Sequence, residues 1–314
     1  MAATARQLPK RVPPLMTSRV VIRALYPKLE EVDTFELEYR PYTLFATRDT
    51  VHIKLHVYHV DASLVVEDND SLVEVGRGWR LHARSLGPRL CRYHEGPRGE
   101  PLKQRWCHAI AVKGGWCARH LSSPLALYER CTASNDFDAC RAIDALWPDE
   151  EYIVYLVYHG AGFKIGVTRA WRFYTRLLEQ PHLAAAVIAR LRSALEARKL
   201  EKKLASTRGF SEGIGVSRSV RMRASLLSKR GYDVVARSLA EGIARLGLSG
   251  YFEAYSLTPL DCPVQPLLSP LRELPRGHLE YLCTWGGILV FRMSSGLVGV
   301  TRDAVIHRVI NAQQ

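Results

Sequence analysis

The chain has 314 residues, 47% hydrophobic and 24% charged, which is the balance of an ordinary globular protein with room for two or three compact units. Lys and Arg total 44 against 31 Asp and Glu, a net charge of +13 that favours polyanionic partners through counterion release. No run of about 18 apolar residues and no secretory signal is present, so a cytoplasmic protein without a membrane span is expected.

In chain order, residues 1–14 are basic and lack an apolar core, which predicts a flexible arm. Residues 15–88 are β-rich. Val51-His-Ile-Lys-Leu-His-Val-Tyr58 and Leu64-Val-Val-Glu67 alternate apolar and polar side chains, as half-buried strands do, and Glu67-Asp-Asn-Asp70 is a turn signal. A small antiparallel sheet is expected there.

Residues 89–148 hold five of the seven cysteines, with many Gly, Pro and Arg and little periodicity. An odd cysteine count without an export signal argues against a disulfide framework and for a metal staple. Cys117-Ala-Arg-His120 is the tight pair, because a two-residue gap lets both side chains reach one tetrahedral ion, and Gly114-Gly115 supplies the turn before it. Cys91, Cys107, Cys117 and His120 are the expected ligands, with Cys131 as substitute for the fourth. Four such ligands close the coordination shell, so the zinc would be structural. Cys262 and Cys283 lie in apolar, strand-like contexts and are expected to be packing residues.

Residues 149–248 are α/β in character. Glu151-Tyr-Ile-Val-Tyr-Leu-Val-Tyr158, a Gly160-Ala-Gly162 turn and Phe163-Lys-Ile-Gly-Val-Thr168 predict a β-hairpin. Helices are expected over Trp171–Glu179, Leu183–Leu204 and Val234–Leu246. In the second, Val187, Ile188, Leu191 and Leu195 would form the apolar face, Glu201 its edge and Glu196 the opposite side. Residues 249–314 return to short strands, Ile288–Arg292 and Leu297–Thr301 flanking a Ser294-Ser-Gly296 turn. There is no dinucleotide fingerprint, P-loop or nucleophile elbow.

Tyr152-Ile-Val-Tyr155-Leu, then Lys164-Ile-Gly166-Val-Thr168, then Thr175-Arg176-Leu-Leu-Glu-Gln180, resembles the GIY-YIG nuclease superfamily. It is similar above all to an uncharacterised archaeal and bacterial branch in which a Cys-rich zinc-binding segment precedes such a core. The resemblance covers residues 89–205 and implies divalent-metal-dependent phosphodiester hydrolysis. Carried over, Tyr155 matches the first-motif Tyr, Gly166 the second-motif Gly, Arg176 the Arg that stabilises phosphoryl charge, and Glu201 the Glu that holds Mg²⁺ or Mn²⁺. Lys164 replaces the second-motif Tyr. It could contact phosphate or act as a base, or mark a core that binds nucleic acid without cutting it.

From Arg190 to Arg237 the chain is strongly basic, and Gly209–Ser219 within it is Gly- and Ser-rich, suited to a mobile loop. Arg172, Arg198, Lys202, Lys203, Arg208, Arg218, Arg221 and Arg223 are the candidate nucleic-acid contacts. The expected fold is α+β: an N-terminal antiparallel β region, a small zinc-binding segment, a GIY-YIG-like α/β core and a small C-terminal β region. The expected function is that of a zinc-containing protein that binds RNA or DNA and carries a nuclease-like core. The alternative is a non-catalytic module for RNA or the ribosome that retains the same core.

Overall fold

The computed structural model describes residues 19–41, 50–134, 136–213, 215 and 231–312. The strands are β1 (Arg19–Tyr39), β2 (Val51–Asp68), β3 (Ser71–Val75), β4 (Arg80–Arg89), β5 (His94–Glu95), β6 (Arg105–Trp106), β7 (Tyr152–Tyr158), β8 (Phe163–Arg169), β9 (Ala184–Leu191), β10 (Phe210–Ser211), β11 (Gly250–Pro259), β12 (Gly277–Trp285), β13 (Ile288–Met293), β14 (Gly296–Thr301) and β15 (Arg308–Ala312). The helices are α1 (Pro124–Ala133), α2 (Phe137–Leu146), α3 (Phe173–Leu178), α4 (Ala194–Ala205), α5 (Tyr232–Arg245), α6 (Val264–Leu268) and α7 (Arg302–Val305). The protein is mixed α/β, built on one large sheet.

That sheet has 13 strands in the order β10-β8-β7-β9-β11-β2-β1-β15-β4-β12-β13-β14, with β3 paired to β2. Strands from the N-terminal, central and C-terminal parts of the chain therefore share one hydrogen-bonded surface. The parallel pairing of β2 with β11 joins the central strands to the N-terminal ones. β5 and β6 form a separate two-stranded ribbon.

The expected hairpin is present as β7 and β8, antiparallel, with Tyr155 opposite Gly166. β7 is covered on both faces, which explains its unbroken apolar run. Tyr152, Val154 and Leu156 enter one core, which α1, α2, α4 and α5 cover with residues such as Tyr128, Ile143, Ala197 and Leu239. Ile153, Tyr155 and Val157 enter the other, where α3 contributes Phe173, Leu177 and Leu178.

Three sequence expectations are corrected. The helix expected over Leu183–Leu204 is strand β9 followed by α4, so Val187, Ile188 and Leu191 do not form a helical face. β9 is sandwiched between β7 and β11, and an apolar run buried on both faces has no period by which to tell strand from helix. Ser193 marks the real start of α4 by accepting from the Glu196 amide at 3.1 Å.

Residues 124–146, read as aperiodic, form α1 and α2. Ser123 and Asp136 cap them through the amides of Ala126 and Ala139 at 3.3 and 2.9 Å, and Pro124 sits in the first turn.

Cysteine pairing also differs. Cys131 is disulfide-bonded to Cys140 and Cys262 to Cys283, so Cys131 is no substitute ligand and Cys262 and Cys283 are more than packing residues. The Cys131–Cys140 bond clips α1 to α2. The arm of residues 1–14 and candidates Arg218, Arg221 and Arg223 lie outside the described residues.

Candidate metal centre and basic cleft

Cys91, Cys107, Cys117 and His120 converge, with their ligand atoms all within 4.8 Å of one another. Cys117 Sγ lies 3.3 Å from His120 Nδ1 and 4.0 Å from Cys107 Sγ, and Cys91 Sγ lies 3.6 Å from the same Nδ1. A tetrahedral zinc with Zn–S near 2.3 Å needs S···S edges of about 3.8 Å, so the donors are spaced to hold such an ion without rearrangement.

Local structure explains the convergence. Gly114 and Gly115, with φ of 56° and 87°, turn the chain into a tight hairpin closed by Trp116 N–H to Lys113 O at 2.9 Å. Cys117 then starts a single 3₁₀ turn, Ala118–His120, which swings His120 back over its own Sγ. The Cys117 amide donates to Cys91 Sγ at 3.3 Å, and the Tyr93 ring stacks on His120 with centroids 3.8 Å apart. Glu129 of α1 braces the hairpin, accepting from Trp116 Nε1 at 2.9 Å and pairing with Arg92.

Beside this centre runs a cleft of about 870 Å³, lined by residues of β1, β4, β7 and β8, of the β5–β6 ribbon and of α1, α3, α4 and α7. Tyr155, Lys164, Arg176 and Glu201 all line it. Tyr155 is fully buried. Gln180 joins it to Lys164: Lys164 Nζ donates to Gln180 Oε1 at 3.1 Å, and Gln180 Nε2 donates to the Tyr155 hydroxyl at 3.4 Å. Burial, then the neighbouring Arg176 charge, lowers the Lys164 ammonium to about 8.

Arg176 is held by Glu179 at 3.2 Å. The same carboxylate takes Arg172 at 2.7 Å and Arg302 of α7. Burial pushes the Glu179 carboxyl upward, but the three guanidiniums outweigh it and hold it down at about 2. Glu201 is buried against Arg198, whose guanidinium also reaches Glu212 at 2.7 Å. Burial raises the Glu201 carboxyl, opposed by Arg198.

Of the candidate nucleic-acid contacts, Arg172 and Arg198 line the cleft, whereas Lys202, Lys203 and Arg208 do not. Lys202 lies over the Phe137 ring at 5.3 Å; Lys203 and Arg208 are exposed. Arg198 is 4% exposed and its two terminal nitrogens are shared between two carboxylates, Nη1 on Glu201 and Nη2 on Glu212.

Glu179, Arg302, Arg169 and Arg23 also line the cleft, and Gln180 links Lys164 to Tyr155; none of these placements was expected from the sequence. Glu179 and Gln180 stand inside the motif that runs from Thr175 to Gln180. Arg23 carries a signal of its own, a lone charge in Val20-Val21-Ile22-Arg23-Ala24-Leu25. Arg302 carries none, because only the return of α7 and β15 to the sheet brings it to Glu179.

Residues 87–210 match the model of a family described as a protein of unknown function, DUF2797; the match spans the four clustered Cys and His residues and the stretch from Tyr155 to Glu201. No curated protein and no solved structure matches the chain. Among the described residues, no helix is long and apolar enough to cross a membrane.

Proposed function

We propose that the cleft binds a single strand of nucleic acid by its phosphates, and that zinc held by Cys91, Cys107, Cys117 and His120 fixes the wall that carries Arg92. The observation that carries this reading is the cleft itself. Arg92, Lys164, Arg172, Arg176 and Arg302, from three separate parts of the chain, line one concave surface with the rings of Tyr26, Tyr174 and Trp171. Guanidiniums fit phosphate oxygens, and flat rings accept bases without sequence preference. The three thiolates and one imidazole leave no open position, so the ion's role is structural.

Cleavage is the second reading, favoured by the clustering of Tyr155, Lys164, Arg176 and Glu201 in that cleft. A divalent cation on Glu201 would have to displace the Arg198 guanidinium. The residues as they stand do not fit Mg²⁺ or Mn²⁺, and no step is assigned to such an ion.

The test is a gel-shift and cleavage assay on labelled RNA and DNA strands, with Mg²⁺, Mn²⁺ or EDTA, for the wild type and Lys164→Met. Binding that falls steeply with salt, weakens in Lys164→Met and proceeds without cutting is the expected result. Metal-dependent cutting would replace this reading with the nuclease. No binding to either polymer at low salt would overturn both.

A further inference from the structure

We propose that Arg23, Trp106, His94 and His307 form a second phosphate subsite in the cleft, separate from the Tyr155 cluster. It rests on the reading of the cleft as a phosphate-binding surface but stands on different residues.

Arg23 has a fully buried side chain whose Nε is paired with Glu67, while both terminal nitrogens, Nη1 and Nη2, are buried without a partner among the described residues. Its position is built by a β-bulge: Ile22 pairs with Val66 and Ala24 with Val65, so Arg23 is the extra residue between them. Bulges re-aim a side chain that the pleat would otherwise send elsewhere. Here the side chain is turned to line the cleft.

One ring meets it, and two more pack on that ring. The Arg23 guanidinium lies 5.7 Å from the centre of the Trp106 ring. Trp106 lies 4.7 Å from the ring of His94, its partner across the β5–β6 ribbon, and 5.3 Å from that of His307. Trp106 Nε1, His94 Nδ1 and His307 Nδ1 are likewise buried without a partner among the described residues, and all three residues line the cleft. His307 adopts φ of 60°, a left-handed conformation that is unfavourable for a non-glycine residue. Its backbone is fixed there by two bonds, its amide to Ile22 O at 2.8 Å and its carbonyl from the Leu90 amide at 2.7 Å. The bulge at Arg23 and the left-handed turn at His307 are thus pinned to each other.

Buried polar groups are normally satisfied, and a cluster of orphans calls for a ligand that supplies what is missing. The guanidinium and indole can only donate, and each imidazole can donate from its free nitrogen in one tautomer. A ligand rich in acceptor oxygens fits them. Burial depresses the basicity of His307, and Arg23, Arg302, Arg92 and Arg89 lie close enough to lower it further. The complement is therefore an oxyanion, and in a cleft that takes a strand it is a phosphate group of that strand.

The experiment uses the full chain and inorganic phosphate as first probe, then short strands with and without a terminal phosphate. Arg23→Met removes the guanidinium, and Trp106→Phe removes only the indole N–H while keeping a ring; zinc content and phosphate-free melting temperature report folding. Phosphate is expected to raise the wild-type melting temperature. Both variants should bind it about tenfold more weakly, and Arg23→Met should lower the salt slope of strand binding by about 1. No phosphate binding by wild type, or binding by folded Trp106→Phe and Arg23→Met equal to that of wild type, overturns the subsite. If strands still bind in that case, the strand reading survives without it. Phosphate binding that is lost in both variants, with no strand bound by wild type, keeps the subsite and sinks the strand reading.

Discussion

Gly166 stands directly across the β7–β8 ladder from Tyr155, and a Cβ on Gly166 would come within 2.7 Å of the Tyr155 ring carbon and hydroxyl. The glycine is there for the tyrosine: its missing side chain is the space in which the phenol lies. Because Tyr155 is fully buried, the ring has no free volume into which to retreat.

Gly166→Ala is therefore expected to destabilise the protein by about 1–3 kcal/mol through overpacking and to break the Gln180 contact. Gly76, where an added methyl would meet nothing within 4 Å, is the control, and Gly76→Ala should be near neutral. Urea denaturation of both variants measures the contrast, and equal midpoints would disprove the account of Gly166.

Removing the ion should loosen the residue 91–120 segment, whose core is small: Cys91, Trp116 and Cys117, with Ala126 of α1. Cys117→Ser and His120→Ala should each lose bound zinc by elemental analysis, while Cys131→Ser, which lies in a disulfide, should keep one equivalent. Loss of zinc from Cys131→Ser would return that residue to the ligand set.

Glu179 holds Arg172, Arg176 and Arg302 at once. Glu179→Gln leaves three guanidiniums facing one another and should cost about 3–5 kcal/mol. The wild-type carboxyl, ordinarily at 4.5, is held at about 2, so the stability it contributes is complete above 4.5 and drains as pH falls from there towards 2. Acid titration of folding in wild type, set against the flatter response of Glu179→Gln in that window, is the check.

Lys164 has the opposite sign. Its folded pKa of about 8 lies below its ordinary 10.5, so burying the charge penalises folding fully below 8, and the penalty fades as pH rises from 8 through 10.5. Lys164→Met should stabilise the protein at pH 7 by on the order of 3 kcal/mol, with the gain vanishing above pH 10.5. Strand binding through the ammonium should fall as pH rises through 8. Denaturation at pH 7 and 10 with parallel binding curves would expose a Lys164 that does neither.

The convergence of Cys91, Cys107, Cys117 and His120 was legible in the sequence because Cys117 and His120 share one turn and the other two cysteines precede it in the same Gly-rich segment. The same holds for the β7–β8 hairpin, where Gly160 and Gly162 mark the reversal and the apolar run marks both strands. Position within motif also placed Tyr155, Lys164, Arg176 and Glu201, which the fold then gathers into one cleft. The split of Leu183–Leu204 into β9 and α4 was not legible, since β9 is covered on both faces and carries no period. The Cys131–Cys140 and Cys262–Cys283 bonds were hidden for a similar reason, because counting cysteines says nothing of which ones the packing brings together. Arg23 and Arg302 reach the cleft only because one sheet joins both ends of the chain, and Arg23 only because a bulge turns it inward. Local pattern fixes what a residue's neighbours in sequence can decide; charge gathered from residues 23, 92, 176 and 302 is decided by sheet topology alone.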